Sequence, residues 1–235
     1  MERNDPLVPP QISFSLVELF SDSSNAAMLV EIPGDPPRLA VYKPEAGERP
    51  LHDFRQGTLC RREVAAYLVA EELGFPFIPP TRLVLGPLGV GALSDYHAID
   101  EEEHFFTLRD RFPAAMQEIA AFDAVTNNAD RKGGHVLLTR DGRIMSIDHG
   151  LCFHVEPKLR TVIWDWMALP VPEPILEGMR KLDAALGEME DLRWALLRLL
   201  RKGEVVALHR RVRRFLEERT YPLPEREPIY PWPPI

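Results

Sequence analysis

Lys43 closes the run Val41-Tyr42-Lys43-Pro44. A lysine presented by the end of a rigid strand acts as a point charge on phosphate oxygens, although a lone strand-end lysine is usually only a surface charge. Glu63 follows on a helix expected over residues 59–73. At about 100° per residue, Leu59, Ala66, Tyr67, Ala70 and Leu73 gather on one face, and Glu63 falls among them. A carboxylate on an apolar face needs a partner unless it reaches water at the rim. Lys43 is the natural partner. Further on, Asn127-Asn128-Ala129-Asp130-Arg131-Lys132-Gly133-Gly134-His135 forms a long polar loop, and Asp148-His149-Gly150 follows a hairpin. Asn, Asp and Gly in such a loop are often only turn chemistry. The same position, before a hairpin, also suits a positioned base and a metal ligand.

Order and spacing raise the value of these residues together. The kinase signature sets a catalytic aspartate five residues before a metal-binding asparagine, then an Asp-Phe-Gly whose aspartate holds Mg²⁺. Here Asp130 is followed five positions later by His135, and Asp148-His149-Gly150 takes the later place. Lys43 and Glu63 come earlier, on a strand and the next helix. The metal-ligand types Asp123, Asp130, His135, Asp148, His149 and His154 fit neither HExxH nor another zinc spacing, which disfavours a metal-dependent hydrolase.

These residues need elements to hold them. Alternating runs over 12–20, 26–32 and 38–42, divided by Ser21–Asn25 and Pro33–Pro37, predict three antiparallel strands. The helix 59–73 ends at Gly74. Short strands are expected over 81–85 and 90–93, an exposed acidic stretch over 94–106, and a helix from Pro113 to Val125 with proline in its first turn. Asp141-Gly142 marks a hairpin between 136–139 and 143–147. Helices are expected near 173–186, 188–201 and 203–219. The fold class is therefore α+β. The expected division is a loose arm over 1–11, a strand-rich lobe with one helix over 12–93, a mainly helical lobe over 94–220, and an extended proline-rich tail over 221–235.

The chain resembles the atypical kinases of the phosphatidylinositol 3-/4-kinase superfamily, particularly the type II phosphatidylinositol 4-kinase and HipA-like branches. The resemblance rests on Ser24-Asn25-Ala26, Val41-Tyr42-Lys43-Pro44, Arg62-Glu63-Val64-Ala65-Ala66-Tyr67, Asn128-Ala129-Asp130-Arg131 and Ile147-Asp148-His149-Gly150. Within it, the chain is similar to a group of uncharacterised bacterial proteins sharing Gly47-Glu48-Arg49-Pro50-Leu51, Asn127 through His135, and Lys158-Leu159-Arg160-Thr161-Val162. The narrower resemblance covers residues 20–170 and returns near the Pro-Trp-Pro of the tail.

The resemblance implies a two-lobed kinase-like fold and an ATP-dependent phosphotransferase acting on a hydroxyl of a lipid, protein or metabolite. Ser24 and Asn25 would lie over the nucleotide phosphates, Lys43 would contact them, and Glu63 would orient Lys43. Asp130 would orient or deprotonate the acceptor hydroxyl. Arg131 would fix the loop or screen phosphate charge. Asp148 would hold Mg²⁺ or Mn²⁺. His135 replaces the asparagine of the broad superfamily, so Mn²⁺ is expected to serve at least as well as Mg²⁺. The segment Lys158–Trp166 would face the substrate, with Lys158 and Arg160 meeting an anionic group. The rival reading is a nucleotide-binding pseudokinase that regulates a partner, favoured by His135 and by the lack of glycines in the phosphate loop.

Composition narrows the partners. The 235 residues carry a formal charge of −8, which argues against a general nucleic-acid binder. The basic run from Arg193 to Arg219 reads as a solvated helix face. Two cysteines form no disulfide framework or CxxC site, no apolar run is long enough to span a membrane, and the start of the chain has no signal pattern. A cytoplasmic location is the expectation. Proline is frequent, 23 residues, yet Pro113 is alone between 88 and 156. That gap suggests unbroken helices and ladders where the loop and the hairpin lie.

Overall fold

The computed structural model describes residues 9–20, 25–188 and 190–235. Five strands form an antiparallel sheet in the order β1-β2-β3-β5-β4: β1 Ser15–Leu19, β2 Met28–Ile32, β3 Arg38–Pro44, β4 Thr81–Gly86 and β5 Gly89–Asp95. The turn signal at Pro33–Pro37 thus produces a hairpin with a short connection, and Pro87–Leu88 joins β4 to β5 in another. Gly91 is required where β5 crosses β3. A Cβ there would stand 2.5 Å from Tyr42 Cε2 and 2.7 Å from the Lys43 carbonyl oxygen. Every residue of the edge strand β1 is exposed.

Helix α1 spans Leu59–Leu73, as its apolar periodicity predicts, and ends on Gly74 in the left-handed region at φ 74°. It packs on β4 and β5 and also on two helices from the other part of the chain, α4 Glu173–Ala185 and α5 Asp191–Leu199. The main core is consequently continuous. Val64, Val69 and Leu73 of α1 join Phe122 and Val125 of α3 (Pro113–Thr126), Leu176 and Met179 of α4, and Leu208 and Val212 of α6 (Lys202–Glu218). A smaller cluster, with Val30, Tyr42, Val84 and Leu93, fills the opposite face of the sheet.

Two expectations change. The stretch 94–106 is not simply an exposed acidic run. It carries β6 Ile99–Asp100, which pairs with β7 Val136–Thr139, and leads into a short helix, α2 Phe105–Leu108. Phe105 and Leu108 are fully buried, because their i, i+3 spacing sets both against the core. The helix expected over 188–201 is shorter, Asp191–Leu199. The hairpin is present as β7 and β8 Ile144–Ser146, and with β6 it makes a second, three-stranded sheet. The tail runs along the body. The Ile229 carbonyl accepts from Thr161 N–H at 3.1 Å, and the Pro234 carbonyl accepts from Gly133 N–H at 2.7 Å. No helix among the described residues is long and apolar enough to cross a membrane.

Candidate active site

Strand β3 delivers Lys43, and α1 delivers Glu63 from its second turn. Lys43 Nζ donates to Glu63 Oε1 at 2.5 Å and to Asp148 Oδ1 at 3.0 Å. Burial works against the ammonium, but Asp148 and Glu63 outweigh it and hold Lys43 charged. Glu63 Oε2 accepts the backbone N–H of His149 at 3.0 Å, so one carboxylate ties Lys43 to the Asp148 turn. Asp148 itself adopts φ 62°, a left-handed conformation that aspartate tolerates better than most residues. Its side chain is 40% exposed, and Lys43 holds its carboxyl far below the usual range.

The other side of Asp148 meets His135, whose Nε2 lies 3.4 Å from Oδ2. Burial pushes the His135 imidazole down to about 4, so it is neutral near pH 7. Its Nδ1 faces the Lys132 N–H at 3.4 Å, which leaves Nε2 to carry the ring proton toward Asp148. His149 is buried with its Nε2 3.2 Å from Ser146 Oγ and its ring edge-on to Phe122, and burial holds it neutral as well.

Helix α3 ends at Asn127 in the left-handed region, φ 57°, and opens the loop. Asn127 Nδ2 donates to the carbonyls of His154 and Glu156, and its Oδ1 accepts from Lys158 N–H. One residue therefore caps the helix through its backbone N–H, which the Asp123 carbonyl accepts, and clasps the segment after Asp148 with its side chain. Asn128 Oδ1 accepts from Asp130 N–H at 3.0 Å. Burial raises the Asp130 carboxyl, against the pull of Lys132, whose Nζ lies 3.5 Å from Oδ2.

Arg131 sits apart from this open chemistry. It is fully buried, and it donates from Nε and Nη2 to both oxygens of buried Asp123, at 2.9 and 3.0 Å, and from Nη1 to the Ile147 carbonyl. Of its two expected parts, fixing the loop is the one this geometry serves. A guanidinium with no exposed atom does not reach solvent to screen a phosphate. Lys158 is engaged as well. Its ammonium pairs with Asp53 at 2.9 Å and its side chain is 12% exposed, so its charge is spent inside the protein. Arg160 is half-buried with no ion pair among the described residues, and its backbone bonds to Asn128 and Arg131. Ser24 lies outside the described residues. Asn25 accepts from Arg49 N–H at 2.9 Å, and the Ala26 N–H is taken by the Gly47 carbonyl at 3.2 Å. The Gly47-Glu48-Arg49 run thus underlies the proposed phosphate loop, a relation that sequence spacing does not reveal.

Sequence reasoning passed over Lys132 and Asp123 as parts of the site. Lys132 was detectable as a cation two residues beyond Asp130. Asp123 offered only a carboxylate on a helix with apolar neighbours, the same signal that singled out Glu63. It also missed Arg62, which donates to the Cys152 carbonyl at 2.6 Å and pairs with Glu204 at 2.5 Å. A divalent cation fits at Asp148, whose carboxyl Lys43 keeps ionised against the cost of burial. His135 can add a nitrogen ligand once its Nε2 proton moves to Nδ1. No group of three or more His, Cys, Asp or Glu gathers for a metal among the described residues, so further ligands must come from nucleotide phosphates and water.

The family described as phosphatidylinositol 3- and 4-kinase matches residues 96–209, which hold Asp123, Asp130, His135 and Asp148. Protein Rv2133c of Mycobacterium tuberculosis (strain ATCC 25618 / H37Rv) is 38% identical over 228 residues, covering 82% of this chain and 81% of that protein. Phosphatidylinositol 4-kinase gamma 4 of Oryza sativa subsp. japonica is 30% identical over 177 residues, covering 64% of this chain and 30% of the plant protein. The chain belongs to the phosphatidylinositol 3- and 4-kinase-like superfamily. The fold agrees: the Helicobacter pylori proinflammatory kinase CtkA superposes with a TM-score of 0.50 at 12% identity, covering 90% of this chain and 96% of that one. Lys43 stands on β3 and Glu63 on α1, and Asp130 and Asp148 stand in loops on either side of the β7–β8 hairpin.

Proposed function

We propose that this chain is an ATP-dependent phosphotransferase with a hydroxyl-bearing acceptor. The observation that carries this reading is the single ammonium of Lys43 shared between Glu63 and Asp148, beside a loop that holds half-buried Asp130 and Lys132. Glu63 aims Lys43, so that Lys43 can exchange Asp148 for the α- and β-phosphate oxygens of a bound nucleotide. Asp148, with His135 beside it, would hold Mg²⁺ or Mn²⁺; the cation supplies neutralisation of phosphate charge when bound. Asp130 accepts the proton of the acceptor hydroxyl. The new bond joins that hydroxyl oxygen to the γ-phosphorus, the bond from γ-phosphorus to the β–γ bridging oxygen breaks, and ADP leaves. Lys132 stands close enough to Asp130 to meet the transferred phosphoryl group. Arg160 is the remaining cation for an anionic acceptor, and Lys158 braces the segment that carries it.

A second reading, a nucleotide-binding regulatory module, draws on one observation: both Asp148 oxygens already face partners, Lys43 and His135. One experiment separates them. Nucleotide binding and γ-phosphate release are measured for the full chain with and without Mg²⁺ or Mn²⁺, beside Asp148→Asn. The phosphotransferase reading expects metal-dependent loss of γ-phosphate that Asp148→Asn abolishes. Binding with no turnover in the presence of candidate hydroxyl acceptors supports the regulatory module. Turnover unchanged in Asp148→Asn contradicts the assignment of the site.

A further inference from the structure

Two cavities, of about 390 and 370 Å³, lie outside the cluster around Lys43. The first opens between the start of α1 and the connection from α5 to α6. Arg55, Arg61 and Arg201 line it, and none of the three makes an ion pair among the described residues. Arg198 also stands in the wall, but it has a partner of its own. Arg62, in the same wall, is already neutralised: Glu204 takes its Nη2 at 2.5 Å, and the Cys152 carbonyl takes Nη1. That leaves Glu45 as the other carboxylate in the wall. It lies against Gly57, where a Cβ would stand 2.6 Å from Glu45 Oε1.

Like charges held around one cavity repel unless a counter-charge enters. These cations come from three separate pieces of chain: the loop before α1, the first turn of α1, and the junction of α5 and α6. The partial positive charge at the start of α1 adds to theirs. Guanidinium forks match phosphate oxygens two at a time, which a lysine patch would not do. The volume is that of a small-ligand pocket rather than of a single bound ion. Arg61 and Glu63 point about 200° apart on α1, so this pocket and the Lys43 cluster occupy opposite sides of the same helix.

We propose that this pocket binds a small soluble phosphate-bearing anion, distinct from the nucleotide of the Lys43 cleft, and that the ligand joins the start of α1 to the α5–α6 connection. Binding is read without any phosphate transfer, so the result stands apart from the phosphotransferase reading.

Inorganic pyrophosphate is titrated calorimetrically, in EDTA at constant ionic strength, into the full chain carrying Lys43→Met, which removes the cation of the cleft. Saturable binding at one site is expected. Arg61→Ala with Arg201→Ala should weaken it by about tenfold or more, the loss of at least one charge-assisted contact. Absence of saturable binding in the Lys43→Met chain, or equal affinity in the double-arginine variant, overturns the proposal. If the double variant does not fold, Arg55→Glu decides, since Arg55 is an exposed loop residue. Weaker binding of pyrophosphate to Arg55→Glu supports the pocket, and unchanged binding overturns it.

Discussion

Lys43 is the residue whose meaning depends most on its neighbours. Alone it is a strand-end charge; between Glu63 and Asp148 it becomes the pivot of a cleft. The order of Lys43, Glu63, Asp130 and Asp148 along the chain was enough to nominate all four. The neutrality of His135, the burial of Arg131 and the pairing of Lys158 with Asp53 were not legible, because each depends on residues distant in sequence. Asp130 carries a prediction at this scale. Burial raises its carboxyl while Lys132 lowers it. The ionised form is the base, so kcat/KM should rise with pH through an apparent pKa above the ordinary aspartate value of about 3.9. Lys132→Met should move that limb to higher pH; a limb that does not move would count against Asp130 as the base. The stability effect has the opposite sign. A carboxyl raised in the folded state binds its proton more readily there, so its contribution to stability is present at low pH and is lost as pH rises through the folded pKa.

Helix α1 and the loop after α3 are the elements that turn these residues into a site. On α1, Arg62 and Glu63 are adjacent, so Arg62 holds the helix to the Cys152 carbonyl and to Glu204 of α6 while Glu63 turns to Lys43. The loop is braced from behind by Asp123, which accepts from Arg131 and from Asn128 Nδ2. Asp123→Ala leaves a buried guanidinium without its carboxylate, and the expected cost is about 3–5 kcal/mol. Chemical denaturation checks this: a shift under 1 kcal/mol, on the order of a surface substitution, would mean that the pair does not hold the loop. The helix bounds were readable because α1 follows its apolar period and stops at glycine, and because α3 starts on Pro113. Helix α2 was hidden, since four residues beside an acidic run carry too little periodicity to register.

Over the whole molecule, the uneven prolines acquire a structural sense. The span with Pro113 alone holds β5, β6, α2, α3, β7, β8 and the Asp148 turn. The six prolines beyond Tyr221 accompany a tail whose Ile229 carbonyl receives Thr161 N–H and Trp164 Nε1, and whose Pro234 carbonyl receives Gly133 N–H. Trp232, between these anchors, is 88% exposed. Removing residues 228–235 takes away acceptors from both the Asp130 loop and the segment after Asp148. Hydrogen exchange at Gly133 and Thr161 should then accelerate while amides in the middle of α4 keep their protection; unchanged exchange at both would show that the tail does not strap the site. Local pattern alone determined the α+β class and the order of strands and helices apart from β6 and α2, and it nominated four charged residues for the cleft, because periodicity, turn chemistry and motif order are written along the chain. Tertiary structure decided which charges remain available. Arg131 and Lys158 were spent on Asp123 and Asp53, and three arginines were left around one cavity, because an ion pair is a property of distance in space, and sequence spacing does not measure it.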